Sequence, residues 1–95
     1  MTYYNPLPHC YIGAANPQGA TALGNLVLEG VAVSGLGPVG FNGLISAISR
    51  QNGATVADTF GALGTGDFVG GSDCLHPNKS GHTKIATAFA EALTT

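Results

Sequence analysis

The sequence predicts an α/β fold, incomplete on its own, with two parallel strands and two to three helices. Three observations carry the prediction. Phe41, Leu44, Ile45 and Ile48 fall at i, i+3, i+4 and i+7, and this stripe stops at Asn52-Gly53 just before the β-rich residues 54–60. Thr2-Tyr3-Tyr4-Asn5 is a second β-prone run, closed by Pro6 and Pro8. A last helical pattern follows Pro77-Asn78.

Strands separated by helical segments are expected to pair in parallel through a right-handed crossover. A two-stranded parallel sheet is not a finished layer, because such sheets normally have both faces covered. Residues 1–95 are therefore expected to form one partial domain, completed by a second copy or by a complementing N-terminal half.

Residues 7–20, punctuated by Pro, Gly and Asn, read as loop. Residues 21–30 admit two readings. Ala22, Leu23, Leu26 and Val27 share a helical face, whereas Leu26-Val27-Leu28 and Val31-Ala32-Val33 could form a hairpin about Glu29-Gly30, the helix being preferred. Residues 34–40 read as a glycine-rich connection, and Asn52-Gly53 as the left-handed stop of the helix before it. Residues 54–60 have the low charge of a buried parallel strand. Five glycines within residues 61–72 predict a mobile loop. Asn78 is the expected N-cap of a helix whose inward face carries Ile85, Phe89, Ala92 and Leu93.

Composition excludes some functions. Charged residues make up 8% of the chain, against roughly a quarter in average domains. The 3 basic and 5 acidic residues offer no clustered cations for a phosphate backbone, so nucleic acid is not an expected partner. Apolar runs are broken well short of the ~18 residues of a membrane span, and no signal peptide is read; the compartment stays open. Cys10 and Cys74 could form one bridge or remain two small buried thiols.

Chemistry concentrates in Asp73-Cys74-Leu75-His76-Pro77-Asn78, followed by Gly81 and His82. An acid three residues before a histidine, on a turn stiffened by proline, can fix the orientation and tautomer of the imidazole. The plainer reading is a capping turn in which Asp73 satisfies backbone amides and His76 stands on the surface.

This block resembles the C-terminal part of the SGNH, or GDSL, ester hydrolases. Tyr3-Tyr4-Asn5-Pro6 is similar to that family's fourth core strand, residues 54–60 to its fifth, and residues 79–93 to its terminal helix. The resemblance implies a partial flavodoxin-like, three-layer fold. It makes His76 the general base toward a serine and Asp73 the residue that orients it, with no cofactor and no metal. The implied substrates are acyl esters, from small carboxylic esters to lipids and acetylated sugars. The family's Gly-Asp-Ser-Leu nucleophile turn and its oxyanion segments have no counterpart here.

Ser34, in Val33-Ser34-Gly35-Leu36-Gly37, is the only serine in an elbow-like context, with Ala32 where the first glycine of Gly-x-Ser-x-Gly belongs. It is the candidate nucleophile of a self-contained small esterase. Ser46, Ser49 and Ser80 read as helix surface or cap residues. His82 lies in register with Ile85 and Phe89 and is expected to pack toward the core, while His9 has no partner visible in the sequence. A zinc site drawn from Asp73, Cys74, His76, His82, His9 and Cys10 matches no familiar ligand spacing. A third reading is a non-catalytic module that associates with itself through an uncovered sheet edge and apolar faces.

Overall fold

The computed structural model describes residues 1–33 and 37–94, with the side chains of Ile12 and residues 31–39 outside that description. In chain order the elements are helix α1 (Pro17–Glu29), strands β1 (Val31–Val33) and β2 (Gly37–Val39), helix α2 (Phe41–Gln51), strands β3 (Phe68–Gly70) and β4 (Asp73–Pro77), and helix α3 (Lys79–Thr94). Short 3-10 turns occupy Leu7–His9, Tyr11–Gly13 and Thr65–Asp67.

The three helices lie where local chemistry starts and stops them. Asn16 accepts the Gly19 N–H at 2.9 Å, Pro17 occupies the first turn of α1, and Gly30 ends the helix at φ 75°. Residues 21–29 are thus helical, the preferred of the two readings, and of the hairpin alternative only residues 31–33 form a strand. α2 stops at Asn52 and Gly53, the latter at φ 71°, as the Asn-Gly pair predicts. Asn78 caps α3: its side-chain oxygen accepts the Gly81 N–H at 3.0 Å, and its carbonyl accepts the His82 N–H.

The strands differ from expectation. Both sheets are two-stranded antiparallel hairpins, β1 with β2 and β3 with β4, so the expected parallel pair and three-layer flavodoxin-like arrangement are not what the chain forms. The reason lies in side chains that take the backbone groups a ladder would use. Thr2 N–H donates to the Ala57 carbonyl at 3.0 Å, but the Thr59 N–H turns to Thr2 Oγ1 at 2.9 Å, and the Thr2 carbonyl accepts from Thr59 Oγ1. Thr2 and residues 57–59 lie side by side, and neither residues 2–5 nor 54–60 become strands. On its other edge, Tyr3 is held by Asn42, whose Oδ1 accepts the Tyr3 N–H at 2.7 Å and whose Nδ2 donates to the Tyr3 carbonyl at 3.0 Å. One carboxamide stands in for a neighbouring strand.

Residues 61–72 are not an irregular loop throughout. They contain the Thr65–Asp67 turn and β3, and Gly70 and Gly71, both at positive φ, reverse the chain into β4. Likewise, residues 37–39 of the expected glycine-rich connection form β2, and the loop over residues 7–20 holds two 3-10 turns and the start of α1.

The core is small. Cys10, Ala57, Leu63 and Phe68 are the buried apolar side chains among the described residues, with Thr59 fully enclosed beside them. The Cα trace spans 39 × 34 × 16 Å, a slab little deeper than two packed layers. Apolar stripes on the helices therefore face outward: Leu23, Leu26 and Val27 on α1, and Phe41, Leu44 and Ile48 on α2, are 50–62% exposed. The stripe that predicts α2 is present but uncovered, and the helix buries Asn42 instead. Leu93 of α3 is exposed as well, and so is His82, which does not pack toward the core. No helix is long and apolar enough to cross a membrane among the described residues.

Candidate functional site: the Asp73–His76 bulge

The β3–β4 hairpin is irregular where the chemistry sits. Phe68 pairs with Pro77 and Gly70 with Asp73, so Val69 alone stands opposite Cys74, Leu75 and His76. The surplus residues bulge out of the ladder, a device that re-aims side chains. His76 emerges from it with three quarters of its side chain exposed.

Asp73 organises the bulge with both carboxylate oxygens. Oδ1 accepts the N–H groups of Leu75 at 3.0 Å and His76 at 2.9 Å, and Oδ2 accepts from His76 Nδ1 at 2.9 Å. The capping turn and the acid–histidine pair are thus one arrangement rather than alternatives. The backbone amides of His76 and Leu75, followed by the imidazole, hold the Asp73 carboxyl below the usual carboxylate range. With Nδ1–H donated to an anion, the neutral ring carries its lone pair on Nε2, directed away from Asp73.

Elements far away in sequence brace this turn. Cys74 is joined to Cys10 by a disulfide across 64 residues, with the Cα atoms 5.0 Å apart. Of the two readings left open for the cysteines, the bridge is the one present, and it removes both from any set of metal ligands. Tyr4 Oη donates to the Leu75 carbonyl at 3.0 Å, and its ring lies 5.7 Å from Phe68. Partial burial, then the neighbouring Tyr3 and Asp73, raise the Tyr4 phenol above its ordinary range. Pro77 is buried, and Asn78 Nδ2 donates to the carbonyls of Gly66 and Phe68 at 2.9 and 3.1 Å, fixing the exit of the bulge to the preceding loop.

Behind the hairpin, Asp67 ties that loop to α3. This carboxylate is 4% exposed, accepts from Lys84 Nζ at 2.6 Å, Ser80 Oγ at 2.7 Å and Gly64 N–H at 2.7 Å, and is held down to about 2 chiefly by the lysine. Sequence reading passed over Asp67, although a lone acid among glycines and a lysine one turn into the next helix were both visible. Ser80 acts there as a helix-start residue, in line with its expected role. His9 has partners the sequence did not reveal: Nδ1 lies 2.8 Å from Thr65 Oγ1, and the ring stacks on Phe68 at 5.2 Å.

Beside the bulge, Leu75 joins Tyr3, Tyr4, Leu23, Val27 and Phe41 around an open apolar groove of about 560 Å³. Ser34 lies outside the described residues, so its relation to His76 is not part of this geometry. Among the described residues Asp73 is the hydrogen-bond partner of the His76 imidazole and no hydroxyl is bonded to it, and no three His, Cys, Asp or Glu side chains converge as a metal cluster would. The arrangement can accept or deliver a proton at Nε2, and it can steady the imidazolium that results. No family model matches this sequence, and no curated protein or solved structure is detectably similar to it.

Proposed function

We propose that the Asp73–His76 pair is the acid–histidine half of an acyl-ester hydrolase of the SGNH type, serving a serine contributed from outside residues 1–95. The observation that supports this reading is the Nδ1 contact with Asp73 Oδ2 at 2.9 Å, on a bulge that leaves the rest of the ring in solvent. Asp73 selects the tautomer; His76 takes the serine proton as the alkoxide attacks the ester carbonyl, then returns it to the departing alcohol. Acyl esters are the substrate class, with the acid–histidine pair itself indifferent to the acyl chain.

The test uses 4-nitrophenyl acetate, which an imidazole can cleave slowly without a serine, together with a fluorophosphonate probe. In a His9→Ala/His82→Ala background, hydrolysis above the buffer rate should vanish on His76→Ala and fall by roughly tenfold on Asp73→Asn, with no probe attached to the chain. Full hydrolysis by His76→Ala would sink the reading. Probe attachment abolished by Ser34→Ala would place the nucleophile within the chain and establish a self-contained esterase instead.

A second reading, favoured by the outward apolar stripes of α1 and α2, is a non-catalytic module that pairs with a second copy of itself. A monomer in solution that binds no hydrophobic dye would refute it.

A further inference from the structure

We propose that the Cys10–Cys74 disulfide is a positioning element for the Asp73–His76 pair, so that reduction by a dithiol uncouples the two side chains while the fold persists. The proposal rests on reading these side chains as a working pair, and its test reads their coupling directly rather than ester turnover.

A bulge lacks the ladder that fixes the course of a strand. Between Gly70↔Asp73 and Phe68↔Pro77 there is no ladder partner for residues 74–76 beyond Val69, so β3 does not fix their course. Three ties replace the ladder. Asp73 holds the amides of Leu75 and His76 from within the bulge; Tyr4 holds the Leu75 carbonyl; and the disulfide holds Cys74. The first is local and moves with the bulge, whereas the other two anchor it to residues 4 and 10. Of those, only the disulfide is covalent, and it acts on the residue immediately after Asp73.

Its far end is firmly seated. Cys10 is 7% exposed and follows the Leu7–His9 turn, whose His9 stacks on Phe68 and reaches Thr65. Cys74 is only half-buried, which makes its sulfur the more open to a thiolate. In the exchange, one thiolate of a dithiol attacks Cys74 Sγ, and Cys10 leaves as a thiolate that takes a proton. The second thiol then displaces Cys74, leaving an oxidised dithiol and two cysteine thiols. Asp67, Asn78 and the hydrogen bonds of Thr2 lie outside this exchange and keep α3 and the N-terminal segment in place.

The experiment is ¹⁵N NMR of the His76 ring with and without a dithiol, with the backbone amides of α3 followed in the same sample. In the oxidised chain the Nδ1–H tautomer should dominate. On reduction the ratio of Nδ1–H to Nε2–H should fall by about tenfold, the loss expected when a hydrogen bond to a carboxylate is no longer held. The α3 amides should stay at their native positions. The double variant Cys10→Ala/Cys74→Ala should match the reduced protein. A ratio that changes less than about twofold would show that Asp73 keeps the pair without help, and collapse of the α3 amides along with it would show that the bridge holds the whole fold; either result overturns the proposal.

Discussion

Replacing Asn42 with alanine should destabilise the chain by about 2–3 kcal/mol, an effect out of proportion to one polar residue on a helix. Asn42 is 3% exposed, and its carboxamide makes bonds of 2.7 and 3.0 Å to the N–H and carbonyl of Tyr3. Each bond is worth about 1 kcal/mol net, and truncation adds the cost of polar groups left without partners. Tyr3 itself is 47% exposed, so water can reach part of what is lost, which keeps the sum near the lower end. For a domain of this size the loss corresponds to a Tm lower by roughly 10–15 °C. Urea unfolding of Asn42→Ala, with the exposed Gln51→Ala as control, measures it. Asn42→Asp, which keeps an acceptor but loses the donor, should be destabilised as well. A change under about 0.5 kcal/mol, no larger than expected of an exposed residue, would refute the claim that one carboxamide closes the edge of the N-terminal segment.

Other consequences follow from the same geometry. Because Asp67 titrates at about 2 in the folded chain, below its ordinary 3.8, its contribution is present above the ordinary value and is lost as pH falls toward 2. Asp73 acts in the same direction, so acid unfolding monitored by circular dichroism should show a limb in this window that Asp67→Asn flattens; an unchanged limb would count against the assignment. Gly81→Ala places a methyl group against the Asp67 carbonyl and 2.7 Å from Pro77 Cβ, and should lower stability by about 3 kcal/mol in urea, whereas Gly53→Ala meets no atom and is opposed only by its positive φ. A wild-type midpoint for Gly81→Ala would mean that the α3 start is looser than described. Closing a loop of 64 residues confers about 4 kcal/mol in the chain-entropy account, so a dithiol should lower the thermal midpoint by roughly 20 °C while leaving the chain folded at 25 °C, and a shift of only ~3 °C would contradict it.

Local chemistry was legible in the sequence; the arrangement of strands was not. Asn52-Gly53 and Asn78 end and begin helices because their effects act within one turn, and the Asp73–His76 pair is legible because the two residues stand three apart on one turn. The parallel pairing failed for a reason no periodicity carries. Thr2, Thr59 and Asn42 spend their side chains on backbone groups that a ladder would need, and only their placement side by side reveals this. The α2 stripe misled in another way: Phe41, Leu44 and Ile48 predict a helix correctly, yet periodicity says nothing about which side of a helix will be covered. His82 failed likewise, in register with Ile85 but on the open side. Asp67 was overlooked because its partners, Gly64, Ser80 and Lys84, are spread over both sides of the hairpin.

The hydrogen bonds that hold the first ten residues also set the order in which the molecule can be built. Thr2 waits for residues 57–59, Tyr4 for Leu75 and Cys10 for Cys74, separations of 55 to 71 residues. Contacts so distant in sequence form late and slowly, after the helices have had time to settle locally. On a ribosome the N-terminal segment would therefore emerge long before its partners, with Cys10 reduced and Tyr3 and Tyr4 unseated. The acid–histidine bulge would acquire its Tyr4 and Cys10 braces only after Leu75 had left the tunnel, so the reactive turn takes shape late.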